Sequence, residues 1–233
     1  MAHTSSTHWV RELTLERTAI SGSSTAARVA GVLRNYVTEG RLLPGTRLSE
    51  EDLGEALGVS RNTLREAFRL LTHERLLVHR FHRGVFVRTL AVEDVRDLYG
   101  FRRVVECSSL RRAAQAPAGA LDRVRAAVEE GEAAARRSAW PEVGTANMHF
   151  HQAIVGLAGS VRLDDAASHV LAEQRLVFHV MAAPRAFHEA YLAENRHICD
   201  LLFDGRAEEA AAALERYLDE AERQLVEALT ADG

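Results

Sequence analysis

Along most of the chain the apolar positions repeat with the period of a helix. Val29, Val32, Leu33, Tyr36 and Val37 stand at i, i+3, i+4, i+7 and i+8, which predicts a helix over 24–39. Gly40 stops it and Pro44-Gly45 turns the chain. Ser49 then precedes three acids and an inward face of Leu53, Ala56 and Leu57, the signature of a short capped helix. Gly58-Val59-Ser60 breaks that helix, and Ser60 caps the next, predicted over 61–74 with Leu64, Ala67, Phe68 and Leu71 on one stripe. Two short helices joined by a Gly-containing turn form a helix-turn-helix. The β-prone runs 76–81 and 85–87 flank His82-Arg83-Gly84 and predict a hairpin, which makes the whole a winged helix. Strand signals have no force elsewhere.

From Val92 the period is helical throughout. Helices are predicted over 92–115, 119–137, 140–158, 162–182, 185–204 and 206–230, with breaks at Pro117, Pro141, Gly159, Pro184 and Gly205. Ala-rich amphipathic helices with short breaks pack as antiparallel neighbours. The expected protein is mainly α. It has a loose arm over 1–22, a winged helix-turn-helix with a small β-hairpin over 23–89, and an antiparallel six-helix bundle over 90–233.

Charge sharpens this division. The net charge is −4, and all 29 cations are Arg. Residues 1–90 hold 13 Arg against nine acids, a balance of +4, and residues 91–233 hold 16 against 24, a balance of −8. A basic end on an acidic body is the footprint of a nucleic-acid module joined to an effector or assembly domain. Two cysteines, Cys107 and Cys199, cannot form a disulfide scaffold and are expected to be core thiols. No apolar run approaches the roughly 18 residues of a membrane span, and no secretory signal opens the chain. A cytoplasmic protein with no membrane partner is expected. No P-loop, nucleophile elbow or Rossmann glycine pattern is present.

The helix over 61–74 carries the candidate chemistry. Arg61, Arg65 and Arg69 stand at i, i+4 and i+8, opposite the apolar stripe, with Asn62 and Thr63 at the helix start. Arg forks onto guanine O6 and N7, and Asn and Thr contact base edges or phosphates, as suits a helix entering a major groove. At the hairpin tip His82 and Arg83 adjoin Gly84, which lets backbone approach a phosphate or the minor groove.

The runs Leu43-Pro44-Gly45-Thr46-Arg47-Leu48-Ser49-Glu50, Leu57-Gly58-Val59-Ser60-Arg61, Leu64-Arg65-Glu66-Ala67 and Arg83-Gly84-Val85-Phe86-Val87 resemble the GntR family of bacterial transcription regulators. The resemblance covers about residues 24–88. It implies DNA contacts by Arg61, Arg65 and Gly84, with Thr63 at a matching position. The chain departs from the family pattern at Arg75, where Gly is usual, and at Glu51, where some members carry a DNA-contacting Arg.

The remainder resembles the FadR-type C-terminal (FCD) domain in its shorter, six-helix, VanR-like form, through Asp97-Leu98-Tyr99-Gly100-Phe101-Arg102-Arg103-Val104-Val105-Glu106 and 194–205. Many members bind a divalent metal through an Asp and a His one turn apart and two later His. The matching positions here are Asn147, His151, Asn195 and Tyr217, so only His151 is retained. Neutral Asn and Tyr are poor substitutes, so no metal cofactor is expected, with His149 and His197 as the alternative ligands. His151 has two readings, a hydrogen-bonded core imidazole or, with Arg102, Asn147, Asn195 and Tyr217, the wall of an effector pocket. Arg102 likewise either holds an acidic ligand or pairs with Glu106 at i+4. The resemblance implies a homodimeric regulator whose affinity for double-stranded operator DNA responds to a small-molecule effector. The competing reading is a helical-bundle metalloenzyme with an appended winged helix. It draws on the single Glu194-x-x-His197 pair, of which a di-iron site would need two.

Overall fold

The computed structural model describes residues 24–180 and 184–231. The predicted arm over 1–22 lies outside them. The contacts divide the chain after Thr89 into two compact units.

In the first unit, helices α1 (Thr25–Thr38), α2 (Glu50–Leu57) and α3 (Arg61–His73) enclose a small core. Each starts on a serine that accepts a backbone N–H in the first turn, Ser24 from Ala27, Ser49 from Asp52 and Ser60 from Thr63. Val29 and Leu33 of α1, Leu53 and Leu57 of α2, and Leu64, Ala67, Phe68 and Leu71 of α3 are buried together with Leu76 and Val87. Arg34 of α1 donates from Nε and Nη2 to the two Glu74 oxygens, both at 2.6 Å, and fastens α1 to the end of α3. The sheet is antiparallel in the order β1 (Arg47–Leu48), β3 (Gly84–Val87), β2 (Leu77–Arg80), with Arg80 opposite Gly84 and Arg47 opposite Phe86. Strand β1 is a correction to the sequence reading. Its two residues are too few for alternation to register, and it exists only because β3 offers it an edge.

The second unit contains, among the described residues, six α-helices: α4 (Val92–Arg111), α5 (Ala120–Arg136), α6 (Trp140–Gly156), α7 (Val161–Arg175), α8 (Pro184–Phe203) and α9 (Ala207–Ala231). Two predicted helices are shorter than their periodicity suggests. The first ends at Arg111, and a 3-10 turn over Ala113–Gln115 leads to Ala116, which is extended because Pro117 follows it. The fourth ends at Arg175 and passes into a second 3-10 turn, Val177–Val180. Leu171 to Phe178 are buried without a break, Glu173, Gln174 and Arg175 included, so the chain enters this turn from the interior. No helix among the described residues is long and apolar enough to cross a membrane.

The glycine that is usual at position 75 has a conformational reason, which the Arg here does not remove. Arg75 N–H bonds the Thr72 carbonyl and Leu76 N–H the Leu71 carbonyl, so α3 ends in a Schellman motif whose left-handed residue, at φ 59°, is Arg75. Gly40 fills the same place after α1, at φ 75°. Ser138 occupies it after α5, at φ 58°, with Ser138 N–H to Ala135 and Ala139 N–H to Ala134. A side chain in this region costs more than glycine does. Ser138→Gly keeps both capping bonds and is expected to stabilise the protein by about 0.5–1 kcal/mol, read as a higher urea midpoint at unchanged slope. A midpoint that stays or falls would contradict it.

Candidate functional sites: a basic reading face and a buried polar cluster

Helix α3 presents the predicted basic face, with its guanidiniums in three different states. Arg61 is exposed, carries no ion pair among the described residues, and lies beside exposed Asn62. Arg65 is exposed, and its Nε bonds both oxygens of Glu50, at the start of α2, at 3.0 Å each. That leaves the Nη1/Nη2 edge open, the edge that forks onto a guanine. Arg69 instead gives its Nε and Nη2 to Glu66, at 3.0 and 2.6 Å, which occupies one of its two forks. All three guanidiniums stand on one exposed stripe, and each of the last two also has an acid within reach. Thr63 is half-buried, with its hydroxyl 2.9 Å from that of Ser60.

The wing is basic and tightly turned. His82 and Arg83 are exposed, and His82 sits at φ 57°. Gly84, at φ 99°, has the Arg47 guanidinium about 3.5 Å from where a Cβ would stand. Arg47 is exposed and was not foreseen as part of this surface, since only the pairing of β1 with β3 brings it there.

In the second unit the five predicted pocket residues do converge, around a sixth. Arg102 and Glu106 of α4 are 1% and 2% exposed, with Arg102 Nε donating to Glu106 at 2.6 Å. The other Glu106 oxygen lies 2.7 Å from Nδ1 of His151 on α6. His151 Nε2 is 3.2 Å from the Tyr217 hydroxyl of α9. Tyr217 donates to Asn147 Oδ1 at 3.0 Å, and Asn195 of α8 donates to the same oxygen at 2.7 Å. Asn195 Oδ1 is buried without a partner. Asn147 and Asn195 line a cavity of about 10 Å³, the size of one water molecule, walled by Val128, Gly131, Val143 and Leu192. Tyr99, under the Arg102 guanidinium and bonded by Gln174, extends the cluster.

Burial and charge set the proton positions. Burial, reinforced by Arg102, pulls His151 below its ordinary value despite Glu106. Burial pushes the Glu106 carboxyl up, but Arg102 and then His151 outweigh it and hold the carboxyl below its usual range. Burial raises the Tyr217 phenol well above 10. A neutral His151 therefore donates from Nδ1 to ionised Glu106, its unprotonated Nε2 faces the Tyr217 hydroxyl at 3.2 Å, and Tyr217 donates its proton to Asn147 Oδ1. The two thiols are buried, and burial pushes Cys107 up to about 11, so it stays protonated.

This donor set does not fit a divalent cation. It offers one imidazole, two amides and a protonated phenol, while the nearest carboxylate lies on the opposite edge of His151 and is occupied by Arg102. No group of three or more His, Cys, Asp or Glu among the described residues is placed to hold a metal. His149 is exposed and pairs with Glu130 at 2.8 Å, and His197 is exposed, so neither replaces the lost positions. Arg102 pairs with Glu106 through Nε at 2.6 Å and Nη2 at 3.5 Å, which occupies one of its two forks. Glu106 was visible in the sequence only as a helical neighbour, and its bond to His151, 45 residues away, was not.

A serine-capped helix-turn-helix with a basic wing, followed by a six-helix unit with a polar heart, defines a winged-helix protein with a C-terminal helical domain. Residues 25–87 match the gntR family of bacterial regulatory proteins and residues 97–220 match the FCD domain. The chain belongs to the GntR family of bacterial transcription regulators and carries an FCD domain. It is similar to a GntR transcriptional regulator from Rhodococcus sp. RHA1, at 44% identity over 88% of this chain and 98% of that one, with a TM-score of 0.83. It is 31% identical to the Nta operon transcriptional regulator of Aminobacter aminovorans over 79% of this chain and 86% of that protein. The HTH-type transcriptional regulator BphR of Paraburkholderia xenovorans is 41% identical over 80 residues, which span 34% of this chain and 33% of BphR. These relatives are regulators, and the metalloenzyme reading is not carried further.

The neutral His151 gives stability a sign against pH. Its folded pKa lies below the ordinary 6.5, so between those two values the unfolded chain binds the extra proton. Stability therefore falls as pH drops through about 6.5 toward the folded value. Glu106, ionised in the fold, adds its own loss only at lower pH. His151→Gln is expected to flatten the parent's decline in urea midpoint between about pH 7.5 and 5.5. Parallel curves for the two chains would refute this.

Proposed function

We propose that the chain is a sequence-specific, DNA-binding transcription regulator that acts as a homodimer in the cytoplasm. Its winged helix reads a double-stranded operator, and a small metabolite bound in the FCD domain controls operator affinity. The observation that carries this reading is the state of Arg65, exposed on a capped helix with Nε held by Glu50 and its guanine-forking edge open. Arg61 and Arg65 contact base edges, Asn62 and Thr63 contact bases or phosphates at the helix start, and Arg69 reaches a phosphate with its remaining nitrogen. His82, Arg83 and Gly84 bring the wing to the backbone. Two copies are invoked because one winged helix buries little DNA, and specific sites usually pair half-sites about one helical turn apart or a multiple of it. Relatives named for the Nta operon and for repression of a D-xylose utilization operon, the latter 28% identical over 86% of this chain, support an operon regulator.

Arg65→Ala is expected to weaken binding to the upstream DNA by roughly five- to a hundredfold and relax the base preference at one position of each half-site. Gel shifts on systematically mutated duplexes test it, with two chains per duplex as the stoichiometry. A variant that binds as tightly and as selectively as the parent would remove the basis for the reading.

The effector pocket is proposed around Asn147, His151, Asn195 and Tyr217, with Arg102 behind Glu106. Its contacts to the effector are hydrogen bonds rather than metal bonds, which follows from the donor set. Chelator should leave the melting temperature of the purified chain unchanged, because a ligand stabilises only when it is bound. Asn147→Asp with Asn195→His and Tyr217→His should create zinc-dependent stabilisation. A stoichiometric transition metal on His151 of the parent chain would overturn this part.

A further inference from the structure

The wing carries at its tip a side chain that neither the core nor the proposed phosphate contacts explain. Phe81 is 81% exposed, the most exposed large apolar residue among those described. Its ring is nevertheless held. It tilts at 59° against the His82 ring with centroids 3.9 Å apart. The turn beneath is closed by Arg83 N–H to the Arg80 carbonyl at 2.9 Å, and the strands on either side are paired up to Arg80 and Gly84. The paired strands thus present an exposed phenyl ring at the turn, beside the exposed His82 ring.

The surroundings select the occupant. From Arg75 to Val92 the chain holds four Arg and two His and neither Asp nor Glu. Arg83 is exposed at the tip, the Arg47 guanidinium lies beside Gly84, and the Arg80 guanidinium lies over the Phe86 ring at 4.8 Å. An exposed apolar ring on a hairpin that carries several guanidiniums matches a polyanion with an apolar interior that a single ring can enter. The minor groove of duplex DNA, about 6 Å wide, has this form. Apolar side chains entering it unstack base steps and bend the duplex.

We propose that Phe81 is a wedge. Resting on the reading that the winged helix binds DNA, the wing enters the minor groove beside the major-groove site of α3. Arg47 and Arg83 bind phosphates on either side, and the Phe81 ring packs into one base step. Pyrimidine–purine steps open most easily, so the wedge makes Phe81 a specificity-determining residue at a step that no hydrogen bond reads.

The test uses the full chain and duplexes that it enriches from a random-sequence pool. The enriched duplexes should carry a flexible step at a fixed distance from the α3 site and should be bent in circularly permuted gel shifts. 2-Aminopurine placed at that step should brighten on binding. Phe81→Leu should keep bend and brightening. Phe81→Ser, on an exposed position that leaves the fold intact, should bind about tenfold more weakly, bend less and fail to brighten the probe. Its salt slope should match the parent's, whereas Arg83→Ala should lower that slope by about one. Phe81→Ser with the parent's affinity, bend and brightening would overturn the wedge alone. The same result with altered sedimentation would overturn it too and assign the ring to a protein contact. A parent chain that enriches no sequence would overturn the DNA-binding reading and the wedge with it.

Discussion

A guanidinium taken out of water inside a helical bundle must be neutralised where it lies, and this requirement organises the second unit. Arg102 is 1% exposed, and removing one partner of such a pair typically costs about 3–5 kcal/mol. Glu106, one turn along α4, meets the requirement with one oxygen and gives the other to His151. His151 is thereby oriented with Nε2 toward Tyr217, and Tyr217 and Asn195 both settle on Asn147. One ion pair on one helix thus positions polar groups from three others. A metal in this place would supply charge and direction itself. Here the direction comes from a carboxylate on the far edge of the imidazole.

The first unit relies on the opposite arrangement. Its core is apolar and its organising polar groups lie at helix ends, where three serines meet backbone N–H groups that would otherwise lack partners. Charge stays at the surface, where pairs such as Glu50–Arg65 contribute little to stability and much to side-chain direction. Stability and recognition therefore depend on different residues.

How much of this was legible in the sequence varies with the range of the interaction. The apolar stripe Leu64, Ala67, Phe68 and Leu71 and the Ser60 cap are local, and the helix follows from them. The two-residue strand Arg47–Leu48 is defined by its partner β3, so no local pattern announces it. The early ends of α4 and α7 were hidden because a 3-10 turn keeps nearly helical spacing of apolar residues. In the reading face, Glu66 beside Arg69 could be seen at three residues' separation, but Glu50 reaches Arg65 across a helix-helix turn. The polar cluster was predicted from four matching family positions, and its hinge, Glu106, has its decisive contact on another helix.

The Glu50–Arg65 pair also bears on time. A long side chain that is already held loses little rotamer freedom when it docks, so in the proposed complex a matched base pair is met at small entropic cost. A mismatched one leaves the same rigid edge unpaired, with no other rotamer close at hand to relieve it. Related complexes differ mainly in how fast they come apart. In that proposed complex a pre-set arginine would separate right from wrong sites by residence time, so that many wrong sites could be sampled quickly before a right one is held.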